Sequence, residues 1–514
     1  MRETEESIAR AGSVILLANL LSRLLGFLRE VLIAYFFGAQ AVTDSFLVAS
    51  ILPAAIAGLI SGALTTVFIP VFVEEREIHG EERAWEGTRV VFGTSLLYLL
   101  VMLGAGYVVA PWFIRAVAPG FEEERLRLAL SMNRVMLPSL VFLGLFGLST
   151  GIFQSYRLFT LPALAGLLYN VSLIAFLVGG RRSPVLGLAL GSLAGTIIQV
   201  VPLLLFARRR WRGWGMSFSL RHPMLQRIWG LMLPIFIGTG VGYLNLLVDR
   251  AFASLLPEGT IAALNFAVRV KEIPTGLFVV ALSQAIYPVA SRQAVQGRVD
   301  ELRELFVKSL GTLWLFIVPS GAGLVVLARE TIAFLFERGA FTPQATTITA
   351  EALAFYSLGL LATASLDVTG RIFYSLQDTK TPVKVSILGL LLNILLNALL
   401  VHRMAHRGLA LATSLSATFM FVVLFAILRQ RLHGVGGRRL GRDFGKILCA
   451  TLVMVVVVGL LRPFIQNSWT YLGVVAAGGV TYGVGALILK LEGAKYVLEA
   501  LKKGWGKVRK GCAD

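Results

Sequence analysis

The residues of this 514-residue chain that are equipped for chemistry are charged side chains set inside long apolar runs. Arg23, Arg29 and Glu30 share one run, Asp44 opens the next, and Asp249 with Arg250 closes another. Arg269, Lys271 and Glu272 lie in a further run, and Asp367 and Arg371 in a later one. A charge at the centre of a bilayer costs ~2.5–3.5 kcal/mol even on lenient insertion scales, so such groups must face protein or water. Arginine predominates among them. Its guanidinium gives bidentate hydrogen bonds to phosphate, and excess cation in an enclosed, low-dielectric space attracts polyanions. The pattern predicts recognition of an anionic headgroup, and a pyrophosphate-linked substrate fits it. A cavity for cationic drugs would need the opposite balance.

Local pairing is the competing reading. Arg269 and Glu272 stand three apart, and Asp367 and Arg371 four apart, the spacings at which helical side chains pair. Asn393 and Asn397 share one helical face. Their amide oxygens can help coordinate a hard cation with Asp249 supplying charge, or the two amides can simply hydrogen-bond in helix packing. Arg23 and Arg29 are separated by about 120° on a straight helix. Aiming both at one cavity requires a bend, for which Gly26 is the candidate. Pro53 and Pro274 predict bends in their own helices.

The elements that must position these groups are membrane helices. With 56% hydrophobic residues, 15% charged residues and a mean hydropathy of +0.77, the composition excludes an ordinary soluble protein. The net charge of +19 does not point to nucleic acid, because its basic residues concentrate in short loops between apolar runs. Crossing a ~30 Å hydrocarbon core takes about 20 apolar helical residues. Fourteen such stretches are predicted, near 11–38, 43–73, 89–114, 126–153, 160–179, 185–206, 227–255, 260–290, 307–328, 345–374, 383–402, 408–429, 445–464 and 468–489. Both termini and every second loop collect roughly 31 Lys and Arg, against roughly 10 on the other side, which predicts cytoplasmic termini. Arg208, Arg209, Arg210 and Arg212, then Arg438, Arg439 and Arg442, contribute most, while the loop from Glu74 to Arg89 is net acidic. The charged N-terminus runs into an apolar stretch too long for a signal peptide, so it reads as a retained first helix.

Cys449 and Cys512 form no disulfide or metal-like spacing. No nucleotide-binding loop, metal-histidine cluster or nucleophile triad appears in the sequence, so ATP-driven transport within the chain is unsupported, and the expectation is a transporter and not an enzyme. The tail "LEALKKGWGKVRKG" suits anionic headgroups or a topology anchor.

A shift of about 220 residues brings parts of the chain into register. Phe153, Ser155 and Pro162 meet Phe373, Ser375 and Pro382, "GLAL" at Gly187 meets "GLAL" at Gly408, and Arg29 and Pro53 meet Arg250 and Pro274. The prediction is an all-α polytopic membrane protein of two six-helix lobes, residues 1–210 and 211–435, with two further helices and a basic tail in 436–514. Six is even, so both copies enter from one side and a pseudo-two-fold axis along the membrane normal relates them. This is the plan of an alternating-access transporter with its substrate site between the repeats.

The chain resembles the MurJ (MviN) lipid II flippases of the MOP transporter superfamily over nearly its whole length. The likeness is carried by "SRLLGFLREVLIAYFFGA", "VTDSFLVASILP", "NFAVRVKEIPTGLF", "LFERGAFT" and "QDTKTPVKV". The resemblance implies transport of lipid II, the undecaprenyl-pyrophosphate-linked peptidoglycan precursor, to the outer face of the plasma membrane. It also implies a groove for the lipid tail formed by the last two helices. Substrate-binding roles follow for Arg23, Arg29, Asp44 and Arg269, with Glu272 present in relatives, and Arg250 and Lys271 join them as neighbouring cations. A sodium site maps onto Asp249, Asn393, Asn397 and Thr413. Two departures stand out: "AAIAGLI" after Pro53 lacks the family's usual further arginine, and Asn397 stands where a carboxylate can occur. Membrane lipids and cell-wall synthesis enzymes are the expected partners of a monomer, and nucleic acid is not. The rival functions are a flippase for another polyprenyl-linked glycan, a cation-coupled multidrug exporter and a non-transporting scaffold.

Overall fold

A computed structural model of the chain describes residues 2–211 and 213–491. Arg212, Cys512 and the basic tail fall outside the described residues. Within them the chain is helical throughout, without a strand. Helices α1 (Arg2–Phe37), α2 (Ala41–His79) and α3 (Glu81–Val117) are followed by the pair α4 (Glu123–Met136) and α5 (Ser139–Ser155). Then come α6 (Thr160–Gly179), a π-helical turn at Val185–Leu190 that runs into α7 (Gly191–Arg210), and α8 (Pro223–Ser254). The remainder is α9 (Thr260–Val295), α10 (Val299–Val326), α11 (Ala328–Phe336), α12 (Pro343–Leu358), α13 (Leu360–Ser375), α14 (Lys380–Arg431), α15 (Gly437–Leu461) and α16 (Ser468–Ile488).

Among the described residues nine helices are long and apolar enough to cross a membrane, and twelve if each of three bent pairs is one span. Helix α14 is 52 residues long and is broken at Ala405, whose φ of 49° lies outside helical space. At 1.5 Å per residue it would measure about 78 Å, enough for two crossings of a ~30 Å core. With α14 read as two spans and α1 added, the helices are consistent with the fourteen stretches read from the sequence. The short α11 was not anticipated.

The breaks fall where backbone groups can be satisfied another way. Pro138 separates α4 from α5, which meet at a 42° bend, as expected of a residue with no N–H to give. At the matching place α12 and α13 meet at 46° around Gly359. There the Ser414 hydroxyl donates to the Phe355 carbonyl at 2.7 Å, and a Cβ on Gly359 would lie 2.6 Å from Ser414. The expected bend at Gly26 is not a break: α1 runs through it, and α2 and α9 likewise continue through Pro53 and Pro274. Gly26 faces the Asn170 side chain, where a Cβ would make only an ordinary contact at 3.7 Å.

The repeat is written into the backbone. Arg157 and Gln377, 220 positions apart, both adopt positive φ, 61° and 58°. After each, an N–H reaches back to a phenylalanine carbonyl: Leu158 to Phe153 at 2.9 Å, and Asp378 to Phe373 at 3.0 Å. This is the same helix-ending turn built twice.

The chain packs as two compact units, Met1–Ala262 with Arg338–Thr342, and Ala263–Glu337 with Pro343–Asp514. The first is cored by Phe68, Phe72, Leu99, Leu148, Ile152 and Phe153. Phe306, Leu310, Trp314, Ile372, Phe373 and Leu428 core the second. Trp314 keeps its indole N–H satisfied there by donating to the Ser365 hydroxyl at 2.9 Å.

Candidate substrate and ion sites

In the first unit, Arg29 is enclosed by α1 and α6. Its Nη2 pairs with Glu30 at 2.7 Å, its Nη1 donates to Asn170 Oδ1 at 3.2 Å, and its guanidinium lies 5.7 Å from the centre of the Tyr169 ring. The Nε is buried without a hydrogen-bond partner. Asn170 is held in turn by donating to the Gly166 carbonyl at 3.1 Å and the Ser22 carbonyl at 3.3 Å. Tyr169 and Asn170 were not picked out from the sequence. The available signal was a lone amide inside the apolar run "LLYNVSLIAF", where a polar residue needs a partner. Arg23, two turns earlier on α1, is exposed.

Asp44 is 1% exposed. One carboxylate oxygen accepts from the Gly259 N–H and the other from the Ala262 N–H, both at 2.7 Å. These are donors that the start of α9 leaves without intrahelical partners, and a carboxylate at a helix N-terminus also meets the positive end of the dipole. Expected as a substrate ligand, Asp44 is in this conformation a helix cap too enclosed to touch a headgroup. Around it the connections are tied together: Glu258 accepts from the Ala41 N–H at 3.0 Å, Thr43 donates to the Gly38 carbonyl at 2.7 Å, and Ala340 N–H donates to the Tyr35 carbonyl at 2.8 Å. Gly259 has φ of +83° and presses on the Ala39 carbonyl, so only glycine suits both the angle and the approach. Arg250 donates to the Ile261 carbonyl at 2.9 Å, joining the end of α8 to the start of α9.

In the second unit, Arg269 and Glu272 form the predicted i,i+3 pair at 3.1 Å, both about half exposed. Lys271 lies 5.1 Å from the centre of the Tyr356 ring. Arg371 lies over the ring of Tyr287 at 5.9 Å. Asn393 and Asn397 are fully buried, and Asn397 Nδ2 donates to Asn393 Oδ1 at 2.9 Å. Thr413 donates to the Leu409 carbonyl one turn back. These three side chains carry neutral oxygens, and the Asn393 oxygen accepts a bond from Asn397 in this conformation. The one carboxylate of the proposed set, Asp249, belongs to the first unit.

An apolar cavity of about 620 Å³ lies in the second unit among α10, α15 and α16. Leu315, Phe316, Val458, Tyr471, Gly478 and Tyr482 are among its walls. The two tyrosine hydroxyls are accounted for: Tyr482 donates to the Leu315 carbonyl at 2.6 Å, and Tyr471 shares a hydrogen bond with Thr331 at 3.0 Å. What remains of the lining suits a hydrocarbon chain.

A family model described as "Lipid II flippase MurJ" matches residues 33–478. The Burkholderia cenocepacia protein described as lipid II flippase MurJ is 33% identical over 388 residues, 72% of this chain and 73% of its own length. A solved structure of lipid II flippase MurJ in an inward closed conformation aligns with a TM-score of 0.81 at 25% identity, covering 92% of this chain and 98% of that one. An inward-facing multidrug resistance MATE family transporter of the MOP superfamily shares the fold, with a TM-score of 0.69 at 15% identity over 82% of this chain and 98% of its own.

Proposed function

The chain belongs to the lipid II flippase MurJ family, and on that premise we propose that it carries lipid II from the cytoplasmic to the outer face of the bacterial plasma membrane by alternating access. The observation that supports this reading most is Arg29, a guanidinium enclosed inside an apolar helix and held by Glu30, Asn170 and Tyr169. Keeping an arginine there is costly, and binding diphosphate is a use that repays it. In this proposal Arg23, Arg29 and Arg269 take the pyrophosphate, with Arg250 and Lys271 adding positive charge and Glu272 setting the pose of Arg269. The polyprenyl tail lies in the apolar cavity of α10, α15 and α16.

Uphill transport needs a bias, and an ion bound differently in two states shifts their populations. A sodium ion held by Asp249, Asn393, Asn397 and Thr413 would supply that bias. The distribution of Lys and Arg supports cytoplasmic termini. The protein acts as a monomer alongside cell-wall synthesis enzymes.

Arg23→Ala or Arg269→Ala is expected to abolish growth of a bacterium depleted of its own flippase while the protein still reaches the membrane. Normal growth of either variant overturns the arginine roles. Proteoliposomes with labelled lipid II test the substrate directly. Exchange of another polyprenyl-linked glycan or efflux of cationic drugs, with no movement of lipid II, would replace the proposal.

A further inference from the structure

At the arginine-rich end of the first unit a second cavity, of about 640 Å³, opens where α3, α5 and the segment after α7 meet. Its inner wall is aromatic. The Trp85 ring lies 6.2 Å from Tyr156, 5.5 Å from Trp211 and 6.3 Å from Trp214. The polar atoms of this wall are engaged: Trp85 Nε1 donates to the Tyr156 hydroxyl at 2.9 Å, which donates to Glu81 Oε1 at 2.8 Å. Arg89 and Arg210 line the same cavity, as do the exposed Glu81 and Glu82. Arg89 Nε is buried and has no hydrogen-bond partner, a donor that an oxyanion would satisfy. Arg208, Arg209 and Arg157 stand exposed nearby in sequence and add positive charge to a lining whose own two arginines and two glutamates balance.

The segment beyond Trp211 identifies which anion. It lies flush on α3 because Gly213 faces Trp85 and Gly93 faces the Ser217 carbonyl, each too closely for a Cβ. Ser217 N–H donates to the Arg89 carbonyl at 3.0 Å. Past this anchor, Met216, Phe218 and Leu220 are 57%, 63% and 74% exposed. Three large exposed apolar side chains within five residues, beside an arginine run and an indole cluster, are the composition of a segment seated at the lipid headgroup level.

We propose that this cavity binds the phosphodiester headgroup of an anionic phospholipid, with Arg89 and Arg210 on the phosphate and Met216, Phe218 and Leu220 among the acyl chains. The site is separate from the groups assigned to lipid II and stands whether or not lipid II is the transported substrate.

The test uses the full chain carrying Trp112→Phe, Trp229→Phe, Trp314→Phe, Trp469→Phe and Trp505→Phe, so that emission reports on Trp85, Trp211 and Trp214. It is placed in vesicles of phosphatidylglycerol and phosphatidylcholine, with bromine on the acyl chains of one lipid at a time, reading quenching of tryptophan emission. Brominated phosphatidylglycerol should quench more than brominated phosphatidylcholine at equal mole fraction. That preference should fall about fivefold for each guanidinium removed in Arg89→Gln and Arg210→Gln. Arg210 is exposed, so Arg210→Gln reads the site without disturbing the fold. Arg438→Gln with Arg442→Gln, basic residues of the second unit, should leave the preference intact. Equal quenching by both lipids, a preference that survives Arg89→Gln with Arg210→Gln, or equal loss in the second-unit pair overturns the proposal. Loss of the preference on adding millimolar inorganic phosphate at constant ionic strength would reassign the site to a soluble anion.

Discussion

Replacing Asp44 by alanine should release the start of α9 from α2. The carboxylate accepts two backbone N–H bonds at 2.7 Å in a fully buried setting. A hydrogen bond to a charged group is worth about 1.5–3 kcal/mol, and a carboxylate at a helix N-terminus adds about 0.3–1 kcal/mol. Part of this returns when water reaches the freed amides, so Asp44→Ala should cost the closed arrangement about 4 kcal/mol, roughly a thousandfold in its opening equilibrium. Asp44→Asn keeps one acceptor but no charge and should cost about half as much. Hydrogen exchange with mass analysis on purified protein reads this directly. The amides of residues 256–264 should lose protection steeply in Asp44→Ala and less in Asp44→Asn. The Ala340 amide, bonded to Tyr35 and untouched by the substitution, should follow if these connections open together. Unchanged protection in Asp44→Ala, or equal loss in both variants, would refute the reading of Asp44 as the cap that holds these connections closed.

Two further outcomes follow from the same kind of accounting. Asn170→Ala removes an acceptor from the Arg29 guanidinium, worth about 2 kcal/mol for a bond to a charged donor, and should lower lipid II exchange about thirtyfold with a small fall in thermal stability. An unaltered rate would show that Glu30 and Tyr169 position Arg29 without it. Asp378 lies between α13 and α14, where burial pushes its carboxyl up, but hydrogen bonds from Thr381 and the Arg431 guanidinium at 2.6 Å outweigh that and hold it below the usual range. A carboxyl depressed in the folded state contributes stability that is fully present above its unfolded value of about 4 and is lost as pH falls through the folded one. Melting temperatures should therefore drop more steeply below pH 4 for the parent than for Asp378→Asn, and parallel curves would contradict this.

Much of the architecture was open to reading from one dimension. Long apolar runs can only be spanning helices, because backbone groups in lipid must be satisfied internally, and the bounds of α6 and α16 fall within a residue of the predicted stretches. The duplication was visible in Phe153 and Phe373, and the backbone repeats it at Arg157 and Gln377. The pair of Arg269 with Glu272 was legible because i,i+3 spacing fixes neighbours within one helix. The sharp bends were not legible: α1, α2 and α9 run on through Gly26, Pro53 and Pro274, while the chain turns by 42° at Pro138, by 51° between Leu233 and Gly238 and by 46° at Gly359, and leaves helical space at Ala405. At Gly359 it is the Ser414 hydroxyl of a distant helix that meets the Phe355 carbonyl.

What the sequence determined by itself is the set of properties that depend on composition and short-range spacing: helices, their number to a good approximation, their duplication, and the arginines that no ordinary membrane helix retains. What only the tertiary structure decided is the partner of each charge. Asn170 meets Arg29 across 141 positions and the α9 amides meet Asp44 across more than 210. The energy of a buried charge is set by the few atoms within hydrogen-bond reach, and no local pattern along a chain records which distant helix will bring those atoms.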